Sequence, residues 1–413
     1  MSASLETGTR FVGRWVAVFA MAVAVVCLVL SAPAKAGSTV DFLNSLSDNE
    51  ASAFQDWKAA RRDYERKLDT YWDQVDAKRQ ARKPKRAAKL AFDSSDYVMS
   101  FPPVYNGPKL GAALAKKYEQ FTDDQEKAQP TPPQELSTVA DYLAAAKRVY
   151  NFTPERLSEK EFKRRYAEEA LALGLTKDQV VRVYALETGG IGTYDMQSGI
   201  HPIKKTGRAI SSAIGYAQLL DANSVDELSQ HGESFIERFG EKLRNPGLTA
   251  QRRASLKTKL AALKHMVANV KHVPKTWEAD QAYAKTLDGM GIHAINLDGD
   301  IGPMLQAVKL KGLKDTAEKF GRPTLAGAEM EAMNLSGPVT GLEMMQPVGQ
   351  KAPVTNFFAR RAYYVNKMVI GLTGEQLLAE LGRRMDSDVN SAGSKEFADA
   401  FDSVSQGRTS AER

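Results

Sequence analysis

Leu175-Thr-Lys-Asp-Gln-Val-Val-Arg-Val-Tyr-Ala-Leu-Glu187-Thr-Gly-Gly190 carries the pattern of an apolar helix that delivers one carboxylate to a glycine break. Thr176 and Gln179 fit a capping box, in which each side chain bonds the other residue's backbone N–H. Val180, Val183, Tyr184 and Glu187 follow the three-to-four spacing of one helical face, so the acid shares the inward stripe. Gly189-Gly190 ends the helix. Farther on, Ser211-Ser-Ala-Ile-Gly215-Tyr-Ala-Gln218 is a small-residue segment that closes on a single amide side chain. An acid at the end of a buried helix is either an ordinary terminal residue or a positioned one, and its surroundings decide.

Those surroundings read as helical. From Ser137 to Leu381 no segment alternates with period two, so strands are expected to be short at most. Thr153-Pro154-Glu155 has the cap and proline of a helix start. Between about 226 and 285 lies a charged segment with an apolar seam of Leu256, Leu260, Leu263, Val267 and Val270. It is flanked by Arg252, Arg253, Lys257, Lys259, Lys264 and Lys271 and reads as an inserted helix or helical pair, its basic flank solvated. Asn296-Leu-Asp-Gly-Asp-Ile-Gly302 lacks the downstream glutamate of a calcium loop and reads as the cap of a helix from about Pro303 to Phe320. A helix over Glu329–Asn334 ends at Gly337-Pro338, and a loop leads to an aromatic-rich helix over Asn356–Val369. Thr373 and Gln376 box the start of a last helix to about Met385. Residues 386–413 are small and polar, the composition of a disordered tail.

Upstream, Arg10 and Arg14 precede an apolar run from Trp15 to Leu30, and Ala34-Lys35-Ala36 supplies a cleavage pattern. Residues 1–36 therefore read as a signal peptide, with export to the periplasm or cell envelope. Uncleaved, the run would be a membrane anchor. Its removal takes Cys27, the only cysteine, and with it disulfide and thiol chemistry. Residues 37–128 form a charged helical N-terminal region with Trp57, Tyr64, Leu68, Tyr71 and Val75 on one face. The basic run from Lys78 to Lys89 is either a solvated face or a contact for an anionic polymer or membrane. Gln129-Pro-Thr-Pro-Pro133 marks a linker over 129–136, which places the main domain at 137–385. A net charge of +6 gives no nucleic-acid signal. The histidines, at 201, 231, 265, 272 and 293, show no metal-ligand spacing, and neither metal nor cofactor is expected.

Burial and the negative end of the helix both disfavour an ionised Glu187. A carboxyl group that keeps its proton near neutral pH is suited to act as general acid and afterwards as base, as glycoside cleavage requires. The order of features, Glu187 at a helix end, Gly215-Tyr-Ala-Gln218, Ala332-Met-Asn334 before Gly337-Pro338, and Tyr364-Val365, resembles the lytic transglycosylases of the lysozyme-like superfamily. The resemblance covers roughly Leu173 to Val369, and it departs from the family at Thr188, at Met333, in an extra residue before Gly337 and in the long span from Tyr194 to Gly207.

The resemblance implies a mostly α, lysozyme-like catalytic domain with an inserted basic helical segment and an N-terminal helical extension. It also implies cleavage of peptidoglycan between N-acetylmuramic acid and N-acetylglucosamine, with Glu187 catalytic and Gln218, Asn334 and Tyr364 positioning sugar and acid. The product would carry a 1,6-anhydro end. Two alternatives stand beside it. One is a hydrolytic muramidase, which needs a second carboxylate, Asp195 or Asp221, to place water. The other is a non-catalytic envelope protein that binds glycan or a secretion partner.

Overall fold

The computed structural model describes residues 38–128 and 136–411. The expected signal segment with Cys27, and all but the last residue of the expected linker, lie outside the described residues. Helices dominate, and among the described residues β-structure is limited to isolated bridges such as Gln197 with Ile214 and Ile214 with Leu219.

The chain divides into two compact units. The first runs to Trp57 and resumes over Lys109–Pro132. It holds α1 (Thr39–Asn44), the opening turns of α2 (Asp48–Ala87) and α3 (Ala112–Ala128). Phe42, Phe54 and Leu114 form its small core, with Phe42 stacked on Phe121 at a ring separation of 4.7 Å.

The second unit comprises Lys58–Pro108 and Pro133–Arg413. The division breaks within the expected linker, between Pro132 and Pro133, but the expected N-terminal region is itself divided, with Lys58–Pro108 belonging to the main unit. The reason is burial. Leu68, Tyr71, Trp72 and Val75 of α2 pack with Phe357, Phe358, Tyr363, Leu377 and Leu381. Arg82, in the basic run read as a solvated face or a polymer contact, is fully buried and bonds Glu343, Asp96 O at 2.9 Å and Asn356 O at 2.8 Å. A guanidinium with its donors satisfied by a carboxylate and two carbonyls can leave water without an orphaned charge.

After α4 (Val139–Tyr150) the chain is extended, and α5 (Glu159–Ala172) starts at Ser158, not at Thr153 as its sequence suggests. Glu155 explains the delay, because its N–H donates to Asp298 Oδ2 at 2.8 Å and its carbonyl accepts from Gly299 N at 2.9 Å. Next come α6 (Lys177–Thr188), α7 (Asp221–Arg244), α8 (Ala250–Val270), α9 (Trp277–Ala284) and α10 (Leu287–His293). Helices α7 to α9 cover the segment read as an insertion, yet they supply the centre of a core. Phe235, Phe239, Leu256, Leu263 and Val267 pack there with Tyr142, Phe152 and Ile292. Lys259, read as part of a solvated flank, is buried, with Nζ 2.6 Å from Glu155, 3.0 Å from Asp298 and 2.6 Å from Asp300.

Asp298 belongs to the turn read as a cap. Its Oδ1 accepts from the N–H of Asp300 at 2.9 Å and of Ile301 at 3.0 Å, at the start of α11 (Ile301–Lys319). Helices α12 (Gly327–Ser336), α13 (Pro338–Met344), α14 (Pro347–Lys351) and α15 (Arg360–Val365) follow. The aromatic-rich helix is shorter than expected because Asn356 is buried and bonds the backbone of Val98 in both directions. Helix α16 (Gly374–Asp388) has the expected box, with Thr373 N to Gln376 Oε1 at 2.9 Å. The expected disordered tail is instead α17 (Ala392–Ala411), whose Phe397 and Phe401 are buried against Tyr166, Tyr184 and Tyr216. Two buried phenylalanines contribute about 1.5–3 kcal/mol each, enough to recruit an otherwise polar helix to the core.

Candidate active site

Helix α6 is built as its sequence indicates. Thr176 N donates to Gln179 Oε1 at 3.0 Å, and Gln179 N returns a bond to Thr176 Oγ1 at 3.2 Å. Val180, Val183 and Tyr184 are buried on its inner face. The helix stops where Gly189 and Gly190 adopt φ of 61° and 66°, the left-handed region that glycine enters without a Cβ penalty. Glu187 thus sits one residue before the helix end, half-buried.

Helix α12 packs against α6. Glu331 and Asn334 lie three residues apart and share one of its faces. From there Asn334 Nδ2 donates to Glu187 Oε1 at 3.2 Å and points to Glu331 Oε1 at 3.4 Å. Two of the four sequence-derived site residues are therefore brought together across 147 positions. Burial pushes the Glu187 carboxyl up to about 7, against the pull of hydrogen bonds from Glu331 and Asn334. Glu331 is pushed well above the usual carboxylate range, first by burial and then by the neighbouring Glu187 charge. Sequence reading missed Glu331. Its only signal is its position three residues before Asn334 on a helix, which identifies a shared face but not which face is buried.

Gln218 and Tyr364 make no hydrogen bond to Glu187. Gln218 closes a tight turn with φ of 41°, and its Nε2 donates to Gly215 O at 2.8 Å. That turn is braced from below. Tyr216 donates its hydroxyl to Glu159, and Ala217 N donates to Gln306 Oε1 at 3.2 Å. Gly215 is required there on two counts, its φ of 83° and the 2.7 Å that would separate an added Cβ from Gln306 Nε2. Tyr364 is 40% exposed, and its hydroxyl accepts from Trp72 Nε1 at 3.5 Å. The adjacent Tyr363 is the buried one, accepting from Gly371 N at 2.9 Å.

The two aspartates considered as second carboxylates are otherwise engaged. Asp195 accepts from Thr193 at 2.7 Å and Lys205 at 2.9 Å and pairs with Arg156. Asp221 accepts from Ser212 Oγ at 2.7 Å and from Ala222 N at 2.9 Å. A groove of about 520 Å³ lies beside Asp221, lined by Ser211, Ser212, Trp277, Gln281 and Arg361 among others; Glu187 is not in its lining. Buried His293 supports its wall, with Nε2 donating to Ser212 O at 2.8 Å and Nδ1 accepting from Ser224 Oγ at 2.8 Å.

Among the described residues no cluster of His, Cys, Asp and Glu is arranged to hold a metal, and no helix is long and apolar enough to cross a membrane. Comparison of the chain with protein-family models, with curated proteins and with solved structures returns no match.

Proposed function

We propose that the chain is a peptidoglycan lytic transglycosylase with a lysozyme-like catalytic domain, exported to the periplasm or cell envelope through residues 1–36. The observation that carries this reading is Glu187, which lies at the end of α6, has no ion pair among the described residues and is held by Asn334 at 3.2 Å. A carboxyl pushed up to about 7 holds its proton in a large fraction of molecules near neutral pH and loses it readily.

In this reading Glu187 gives its proton to the glycosidic oxygen as the bond from the muramic C1 breaks. The resulting carboxylate takes the proton of the C6 hydroxyl, whose oxygen closes on C1. The product is a 1,6-anhydro end, and no water is consumed. Asn334 holds the carboxylate in place, and Gln218 and Tyr364 position sugar groups. The groove bearing Trp277 and Arg361 offers a ring for stacking on a sugar and a cation for an acidic stem. A hydrolytic route needs a second carboxylate to place water. Asp195 and Asp221 are engaged elsewhere, and Glu331 has no exposed surface from which to do so. This favours the internal hydroxyl over water.

Digestion of purified sacculi tests the reading through its products. Anhydro-muropeptides support it; reducing ends indicate a hydrolase, and no release indicates a binding protein. Full lytic activity in Glu187→Gln would remove Glu187 from the mechanism.

A further inference from the structure

Glu331 is the one carboxyl group at the site that the proposed mechanism leaves without a task. It has zero exposure, its Oε1 lies 3.4 Å from the Asn334 amide, and its Oε2 is buried without a hydrogen-bond partner. Its carboxyl shares that amide with Glu187, whose Oε1 lies 3.2 Å from the same Asn334 Nδ2. We propose that Glu331 is a positioning residue that stays protonated through the working pH range and donates its O–H to the Glu187 carboxylate.

The charges around it leave little choice. Helices α6, α11, α13 and α16 pack against α12. On α6, Arg182 is bound to Asp178 and to Asp386 of α16. On α13, Glu343 is bound to Arg82 and Arg86, and on α11 Lys309 faces Glu227. None of these cations pairs with Glu331 or Glu187. A buried carboxylate without a cation is strongly disfavoured, and two adjoining carboxyl groups resist ionising together. Glu187, the less buried of the two, takes the charge, and Glu331 keeps its proton.

The arrangement has a catalytic consequence, which rests on the proposed function. When Glu187 has given up its proton, its new carboxylate meets two donors, Glu331 O–H and Asn334 N–H. They stabilise it and hold its orientation until it takes the proton of the C6 hydroxyl. Glu331 touches no substrate; it acts through Glu187.

Carbon-13 carboxyl titration of glutamate-labelled full-length protein reads this directly, in wild type, Glu331→Gln and Glu331→Leu. One carboxyl should remain protonated at about pH 8, above the ordinary glutamate range, and disappear in Glu331→Gln. The Glu187 midpoint should stay near the wild-type value in Glu331→Gln, whose amide is also a neutral donor. In Glu331→Leu it should rise by about one to two pH units, the loss of one hydrogen bond to a charged group, and the basic limb of sacculus lysis should move with it. A wild type without a protonated carboxyl at that pH, or a Glu187 midpoint that falls in Glu331→Gln, would overturn the proposal. Should Glu331→Leu fail to fold, the wild-type signal and Glu331→Gln still decide. If the titrations behave as expected but sacculi are not cleaved, the reading of function fails while the proton assignment stands.

Discussion

Two buried acidic clusters in the second unit are treated in opposite ways. Asp298 and Asp300 meet Lys259, with Arg252 and Arg165 also bound to Asp300. Glu187 and Glu331 both lie against the Asn334 amide, and among the described residues neither has an ion pair. Burial alone would raise Asp300, but Lys259 and the two arginines overcome it and hold that carboxyl down to about 2. Nothing opposes burial as strongly at Glu187, which is pushed up to about 7. The first cluster ties α8 to the 298–300 turn and to Glu155 and is a structural joint. The second leaves an acid poised to exchange a proton. The presence or absence of a cation separates them.

The sharpest way to break this contrast is Glu187→Gln. Lysis of sacculi is expected to fall by about 10²–10⁴-fold, the range of a lost general acid, with the thermal midpoint unchanged or raised. Lys259→Met should do the reverse. It takes the cation from buried Asp298 and one of three from Asp300, which keeps Arg252 and Arg165, at a cost of about 3–5 kcal/mol read by denaturant unfolding, with cleavage intact at low temperature.

Asn334→Ala removes the amide from Glu187. An activity loss of about tenfold or more is expected, matching a hydrogen bond to a charged group, together with a basic limb of the pH–rate profile moved upward. Gly215→Ala should destabilise by about 1–3 kcal/mol, because φ and Gln306 both exclude a side chain. Restored stability in Gly215→Ala combined with Gln306→Ala would show that the clash, not φ, dominates.

The pH dependence of stability should carry opposite signs at the two clusters. Asp300 has a depressed folded value, so its contribution is present above the ordinary aspartate range and lost as pH falls toward about 2. Glu187 has a raised folded value, so the folded state binds the extra proton between about 4.5 and 7. Stability should therefore fall as pH rises through that window, and the slope should flatten in Glu187→Gln. Urea midpoints measured from pH 2 to pH 8 distinguish the two.

Much of the local architecture was legible from residue order. The boxes at Thr176/Gln179 and Thr373/Gln376, the capping turn that contains Asp298 and the termination of α6 at Gly189 all depend on bonds spanning a few positions. So does the placement of Glu187 at a helix end on the inward face. Such features are determined by propensity and periodicity before any distant contact forms.

What packs over a face is a tertiary matter. Arg82 and Lys259 look like solvated charges in the sequence, and only the carboxylates at Glu343, Asp298 and Asp300, brought from far along the chain, allow them inside. Helix α17 looks too polar to order until Phe397 and Phe401 find the tyrosines of α5 and α6 and Tyr216. Glu331 looks like any helical glutamate until α12 lies against α6. The sequence by itself determined that an acid ends α6. Only the tertiary structure decided that this acid would be desolvated, denied a cation and given Asn334 and Glu331 as partners, because desolvation depends on everything packed around a group and not on its neighbours in the chain.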